Sequence, residues 1–240
     1  MFSNKYKILC TADIHGNFPI INTSFDLLLL GGDLIHLYLQ RNPSETCDWF
    51  ETVFVNWINS LPFKNDDSKV IWIAGNHEVG WEKLAPEGRL KIADYITNQT
   101  NDRAIYLEDM LYDFNGIKIY GTPWCKIFNN WGFMKSDEDL KRIYEKIPEN
   151  LDILLTHDAP YGTSDLCYGW YSFGRTPIHI GNEPLRDAIL EKKPKYNIHG
   201  HLHSANHEKE ILGTTSVYCV SLVDEEYRET YSPLQLEIVK

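Results

Sequence analysis

Residues 6–17 read YKILCTADIHGN. The first seven of these are mostly apolar and β-prone, as a strand buried on both faces must be. The run then breaks into Asp13, His15, Gly16 and Asn17: an acid, an imidazole and a turn. Open α/β sheets build their sites from such units, because groups at the carboxyl ends of strands converge on one edge. Working outward, the unit recurs. Residues 27–30, 69–74, 151–156 and 195–198 are again short and β-prone, and each runs into His, Asp or Asn.

Helices separate some of these strands. One is predicted after Pro43-Ser44, where Trp49, Phe50, Val53, Phe54, Trp57, Ile58 and Leu61 recur at helical spacing and form a core-facing stripe. A second is predicted from Ser136, with Asp139 three residues on in a capping-box arrangement, and a third follows Pro184. Residues 111–114 and 117–120 flank Asn115-Gly116, the pair that a type I′ hairpin turn demands. From Ile211 to the C-terminus the chain is again β-rich. Alternating strands and helices with added hairpins predict a layered α/β domain with mixed sheets. No repeat, low-complexity tract or linker interrupts it, so residues 1–240 are read as a single domain.

Composition excludes several classes. Hydrophobic residues at 43% and charged residues at 24% are ordinary globular usage, not that of a disordered chain or a disulfide miniprotein. The 23 basic and 34 acidic residues leave a net charge of -11, a field that repels nucleic acid and anionic membrane. The five cysteines are odd in number and form no C-x-x-C, so they read as reduced and mostly buried. The start lacks a signal peptide's apolar stretch and the longest aliphatic run is residues 27–30, so the expected location is cytoplasmic, without a membrane span.

In chain order the polar clusters are Asp13-x-His15, Gly32-Asp33, Gly75-Asn76-His77-Glu78, Thr156-His157 and Gly200-His201-x-His203, which take up five of the nine histidines. Imidazole nitrogen with carboxylate and amide oxygen suits borderline divalent metals, and no thiolate in these clusters demands a soft site. Two ions are expected, Mn²⁺ first, with Fe²⁺, Zn²⁺, Co²⁺ or Ni²⁺ as alternatives. The candidate ligands are too many for one ion but suffice for two that share a carboxylate and a water.

In these blocks the sequence resembles the calcineurin-like metallophosphoesterase superfamily, whose pattern is DxH, GD, GNH followed by an acid, a lone His, and GHxH. The fold expected is then an α/β/β/α sandwich of two mixed sheets flanked by helices. The resemblance implies one metal held by Asp13, His15, Asp33 and His203, and a second held by Asp33, Asn76, His157 and His201, with Asp33 bridging. It implies that His77 is no ligand but bonds the phosphoryl group or leaving oxygen, and that Glu78 is its neighbour. Two dications less two aspartates and a bridging hydroxide leave a charge of about +1 to attract a phosphodiester. His77 as imidazolium could protonate the leaving alkoxide.

The protein-phosphatase extension GDxxDRG is absent, and His36 stands where purple acid phosphatases have a metal-binding Tyr. Gly121-Thr122-Pro123-Trp124, then Trp131-Gly132-Phe133, then His157 leading to Pro160 and Gly162, resemble the metallophosphoesterase-domain-containing subfamily, close to class III cyclic-nucleotide phosphodiesterases. A small phosphate ester, a nucleotide above all, is the expected partner. Broad monoester or protein-phosphate hydrolysis, nuclease action and a non-catalytic scaffold are the alternatives. Substrate contacts are assigned to Asn17, Asn76, Trp124 and Arg175. For Trp124, with Trp131 and Phe133, a packed aromatic cluster and a pocket wall are both open. Residues 157–181, rich in glycine and aromatics, read as a binding loop or lid.

Overall fold

In the computed structural model, which describes residues 4–167 and 176–240, the run Leu27–Leu30 is a strand with every side chain buried. Successive side chains of a strand point to opposite faces. Leu27 and Leu29 accordingly enter one apolar cluster and Leu28 and Leu30 another. Ile71 and Ile73 are divided from Val70 and Trp72 in the same way, as are Ile153 and Leu155 from Leu154.

The strands in chain order are β1 (Lys5–Thr11), β2 (Leu27–Leu30), β3 (Lys69–Trp72), β4 (Ala104–Tyr106), β5 (Met110–Phe114), β6 (Ile117–Thr122), β7 (Cys125–Lys126), β8 (Met134–Lys135), β9 (Ile153–Thr156), β10 (Leu166–Cys167), β11 (Ile178–His179), β12 (Tyr196–His199), β13 (Glu210–Leu212), β14 (Thr215–Cys219) and β15 (Leu234–Val239). One sheet has the order β15-β1-β2-β3-β4, parallel except for β15. The other has the order β13-β14-β12-β9-β6-β5, parallel except for its two outer strands. Ile8, Leu29, Ile71, Ile119, Leu155 and Ile198 form the apolar layer shared by the two sheets.

The outer faces carry helices: α1 (Pro43–Trp49), continued by a π-helical turn (Phe50–Phe54) into α2 (Val55–Ser60), then α3 (Val79–Glu82), α4 (Pro86–Gln99), α5 (Asp137–Tyr144) and α6 (Glu183–Lys192). This is the expected α/β/β/α sandwich of mixed sheets. Ser136 caps α5 by accepting from the Asp139 N–H, and Asn182 caps α6. Asn115 (φ 51°) and Gly116 (φ 86°) both adopt the left-handed backbone of the predicted hairpin turn.

Two differences have physical causes. The π-helical turn opens i→i+5 spacing inside the predicted stripe, so Phe50 and Phe54 stay fully buried while Val53 turns outward and is 44% exposed. The helix α4 is absent from the sequence reading because no side chain caps it and only Arg89, Ala93 and Ile96 are buried. Its visible signal is Pro86 at the first turn followed by Glu87. Among the described residues no helix is long and apolar enough to cross a membrane.

Candidate metal centre

Asp13 follows β1, Asp33 follows β2, Asn76 follows β3, His157 follows β9, and His201 and His203 follow β12. Both sheets therefore deliver their carboxyl-end clusters to one place. Asp13 (φ 52°), His15 (φ 41°), Asp33 (φ 54°) and His201 (φ 71°) all hold left-handed backbone, a conformation Asp and His tolerate better than most residues. The glycines of the blocks admit close approach: a Cβ on Gly75 would overlap the Asp33 carboxylate, and one on Gly200 the Asp13 carboxylate.

Asp33 is the hub. Its Oδ2 lies 3.3 Å from His157 Nε2, 3.8 Å from His77 Nε2 and 3.9 Å from His15 Nε2. Its Oδ1 accepts the His77 N–H at 2.7 Å. The buried carboxylate sits well below its usual pKa: desolvation opposes ionisation, and the neighbouring histidines outweigh it, His157 first. Asp13 accepts the His201 N–H with both oxygens, at 3.1 and 2.9 Å, and stands 3.7 Å from His203 Nε2. Burial alone would raise its pKa, but the contact with His203 brings it down to about 2.

The imidazoles are oriented from behind. His157 Nδ1 lies 2.8 Å from the Gly31 carbonyl and His203 Nδ1 lies 3.0 Å from the Asp224 carbonyl. A carbonyl only accepts, so both Nδ1 atoms carry protons and both Nε2 atoms face the aspartates, the orientation typical of metal-binding histidines. His157 Nε2 also lies 3.0 Å from Asn76 Oδ1.

His15 is 1% exposed, yet neither ring nitrogen has a hydrogen-bond partner. Burial holds its pKa down at about 3, so the ring is neutral and its lone pair available. An orphaned, neutral imidazole beside two carboxylates is what a cation site requires. Asp13, His15 and His203 bring ligand atoms within 4.8 Å of one another, as do Asp13, Asp33 and His157, and His15, Asp33 and His77. The donor set fits divalent metal.

Glu78 is fully buried and accepts four backbone N–H groups: those of Leu34 and Ile35 on Oε1 at 2.7 and 2.9 Å, and those of Asp33 and Gly75 on Oε2 at 2.9 and 2.6 Å. It locks the Asp33 loop to the Asn76 loop. Burial, then the Asp33 charge, push its pKa up to about 7, against amide bonds that favour the ionised form.

His77 opens onto a cavity of about 370 Å³ that is also lined by Asp33, Asn76, His201 and His203. Its Nδ1 donates to Gln40 Oε1 at 2.5 Å, and its ring stacks on Trp131 at 4.4 Å. Arg41 lies over the Trp131 ring, 4.7 Å from its centre. Tyr227, itself in left-handed backbone (φ 59°), stands edge-on to His15 at 4.9 Å and to His203 at 5.5 Å.

Asn76, assigned to substrate as well as metal, lines the cavity, whereas Asn17 is exposed in the turn after His15 and is not among the lining residues. Trp124 is packed away from the cavity, with Nε1 donating to Asp109 at 2.7 Å and the ring against Phe133; the wall is Trp131. Arg175 and much of the glycine-aromatic stretch lie outside the described residues. His36 tilts against Tyr38 at 4.2 Å and joins none of the metal-capable groups among the described residues. Gln40, Arg41, Phe128, Glu225 and Tyr227 carry no motif, and distant loops bring them to the site.

A scan against protein families matches residues 6–205 to the calcineurin-like phosphoesterases. The chain is 28% identical to human metallophosphoesterase domain-containing protein 1 over 254 residues, 97% of this chain and 71% of the relative. It is 30% identical to a UPF0046 protein of Caenorhabditis elegans over 255 residues, 99% of this chain and 83% of that one. Among solved structures, a phosphopantetheinyl hydrolase from Mycobacterium tuberculosis aligns over 96% of this chain and 95% of its own, with a TM-score of 0.53 at 14% identity, a likeness of fold.

Proposed function

We infer, because the chain belongs to the calcineurin-like phosphoesterase family, that it is a two-metal phosphodiesterase acting on small nucleotides. The observation that carries this reading is the Asp33 carboxylate held within 3.3 to 3.9 Å of three histidine Nε2 atoms. Asp13, His15, Asp33 and His203 would hold one ion, and Asp33, Asn76, His157 and His201 the other. When bound, divalent ions of the Mn²⁺ type supply Lewis acidity at the phosphoryl oxygens and bring the pKa of water toward neutrality.

The chain's own residues do the rest. Asp33 sets the spacing of the site, and the Gly31 and Asp224 carbonyls fix the tautomers of His157 and His203. His77 is held by Gln40 and by its stack on Trp131, over which Arg41 lies. With Nδ1 donating to Gln40, Nε2 would carry a proton for the leaving oxygen only in the imidazolium form of His77. Trp131, Phe128 and Tyr227 give the cavity aromatic walls on which a base can stack.

The test is release of p-nitrophenol from the bis(p-nitrophenyl) diester with Mn²⁺ against EDTA, with the monoester in parallel. Metal-dependent diester cleavage that exceeds monoester cleavage is expected, followed by turnover of 2′,3′- or 3′,5′-cyclic nucleotides. His77→Ala should lower kcat by about 10²- to 10⁴-fold with metal content unchanged. Cleavage indifferent to EDTA, or none by metal-loaded protein, would overturn the reading.

A further inference from the structure

Cys125 is one of the five cysteines that read from sequence as reduced and mostly buried. It follows β6 by way of Pro123 and Trp124, and so leaves the same carboxyl edge as the ligand blocks. It is fully buried, and its N–H donates to the Phe133 carbonyl at 2.7 Å as β7 pairs with β8. The thiol is within 3.7 Å of the Pro123 carbonyl. Cys125 Sγ and one ring nitrogen each of His157 and His201 lie within 4.8 Å of one another. Among the described residues, neither ring nitrogen of His201 is engaged in a hydrogen bond that would compete with a cation.

We propose that Cys125 is a thiolate ligand of the second metal position, with His157 and His201, and that it makes that position soft while the position of Asp13, His15 and His203 stays borderline. The inference rests on the two-metal reading above. On ligation the thiol sheds its proton to solvent and the sulfur lone pair takes up the metal bond. Zinc accepts mixed histidine and thiolate donors, and thiolate favours it over Mn²⁺. The two positions of this chain would then differ in the ion they prefer. Burial and the β7–β8 pairing fix the sulfur, so its selectivity is built into the fold.

The experiment is cobalt titration of the metal-free protein, followed by equilibrium dialysis and optical absorption, with zinc X-ray absorption on the wild type. Expected are two bound equivalents, a thiolate-to-cobalt charge-transfer band in the near ultraviolet, and a sulfur scatterer about 2.3 Å from zinc. Cys125→Ala and Cys125→Ser should lose the band, retain cobalt at the other position, and reduce zinc-over-manganese preference by about 10- to 100-fold. Two bound cobalts with no band and no sulfur scatterer would overturn the Cys125 assignment and leave the two-metal reading standing. No stoichiometric cobalt would overturn both. Should both variants fail to fold, the wild-type band and scatterer decide.

Discussion

Glu78 accepts four amide protons on two oxygens, and every one of those amides belongs to a loop that carries a candidate ligand. In Glu78→Gln one oxygen becomes an NH₂ group that faces two donors, so two bonds to a charged acceptor are lost at about 1.5 to 3 kcal/mol each. Because the folded pKa of about 7 lies above the unfolded one, ionising Glu78 itself costs stability as pH rises through 7, so urea unfolding should show a loss that is larger at about pH 5 than at about pH 8. A loss under about 1 kcal/mol at both would mean that the loops hold each other without this clamp. Glu78 also marks the limit of what is legible in the sequence. It stands in the GNHE block, where the residue types announce chemistry, but its work on the Asp33 loop spans 43 to 45 positions and has no local sign. The same holds for Gln40 against His77, 37 positions apart, and for Cys125 against His157 and His201. Ligand blocks are legible because a strand end confines them to a few consecutive residues. Their supports arise from loop closure, which composition does not encode.

At the scale of elements, the strands were legible wherever both faces are buried, because a short apolar run has few other uses. The helix α4 was not, since one half-buried face of a surface helix leaves a weak periodicity. The other end of the sheets offers a test of how elements are tied. Asp152, just before β9, accepts the Lys118 N–H at 2.8 Å at the start of β6, with Lys195 Nζ at 2.9 Å and Lys240 Nζ at 2.6 Å. Lys240 follows β15, so this carboxylate joins the two sheets at the edge away from the candidate metal centre. Burial opposes its ionisation, but Lys240, the Lys118 amide and Lys195 prevail and lower its pKa. A carboxyl with a depressed folded pKa contributes stability that is present above its unfolded value of about 3.9 and fades as pH falls through the folded value. Asp152→Asn should therefore cost about 1 to 3 kcal/mol at neutral pH and nothing in strong acid. Equal losses at neutral pH and at about pH 2 would assign the effect to packing instead.

For the whole molecule, a net charge of -11 makes cation binding favourable almost anywhere on the surface, so stabilisation by a divalent ion is informative only when it is site-specific. The centre supplies the means to distinguish the two. A ligand that binds only the folded state stabilises it by RT ln(1 + [L]/Kd), about 2.7 kcal/mol at a hundredfold excess over Kd. For a domain of this size that is a rise in Tm of roughly 5 to 10 °C. Mn²⁺ should produce it and EDTA abolish it. Asp33 is the carboxylate both proposed ion positions share, so Asp33→Asn should remove the rise even if the metal-free variant melts at a different temperature. Diffuse surface binding would behave otherwise: Ca²⁺ or moderate NaCl would mimic Mn²⁺, and the rise would survive in Asp33→Asn. A rise that survives in that variant would separate the folded state's affinity for cations from the cluster of Asp and His residues, and with it the structural basis of the two-metal reading.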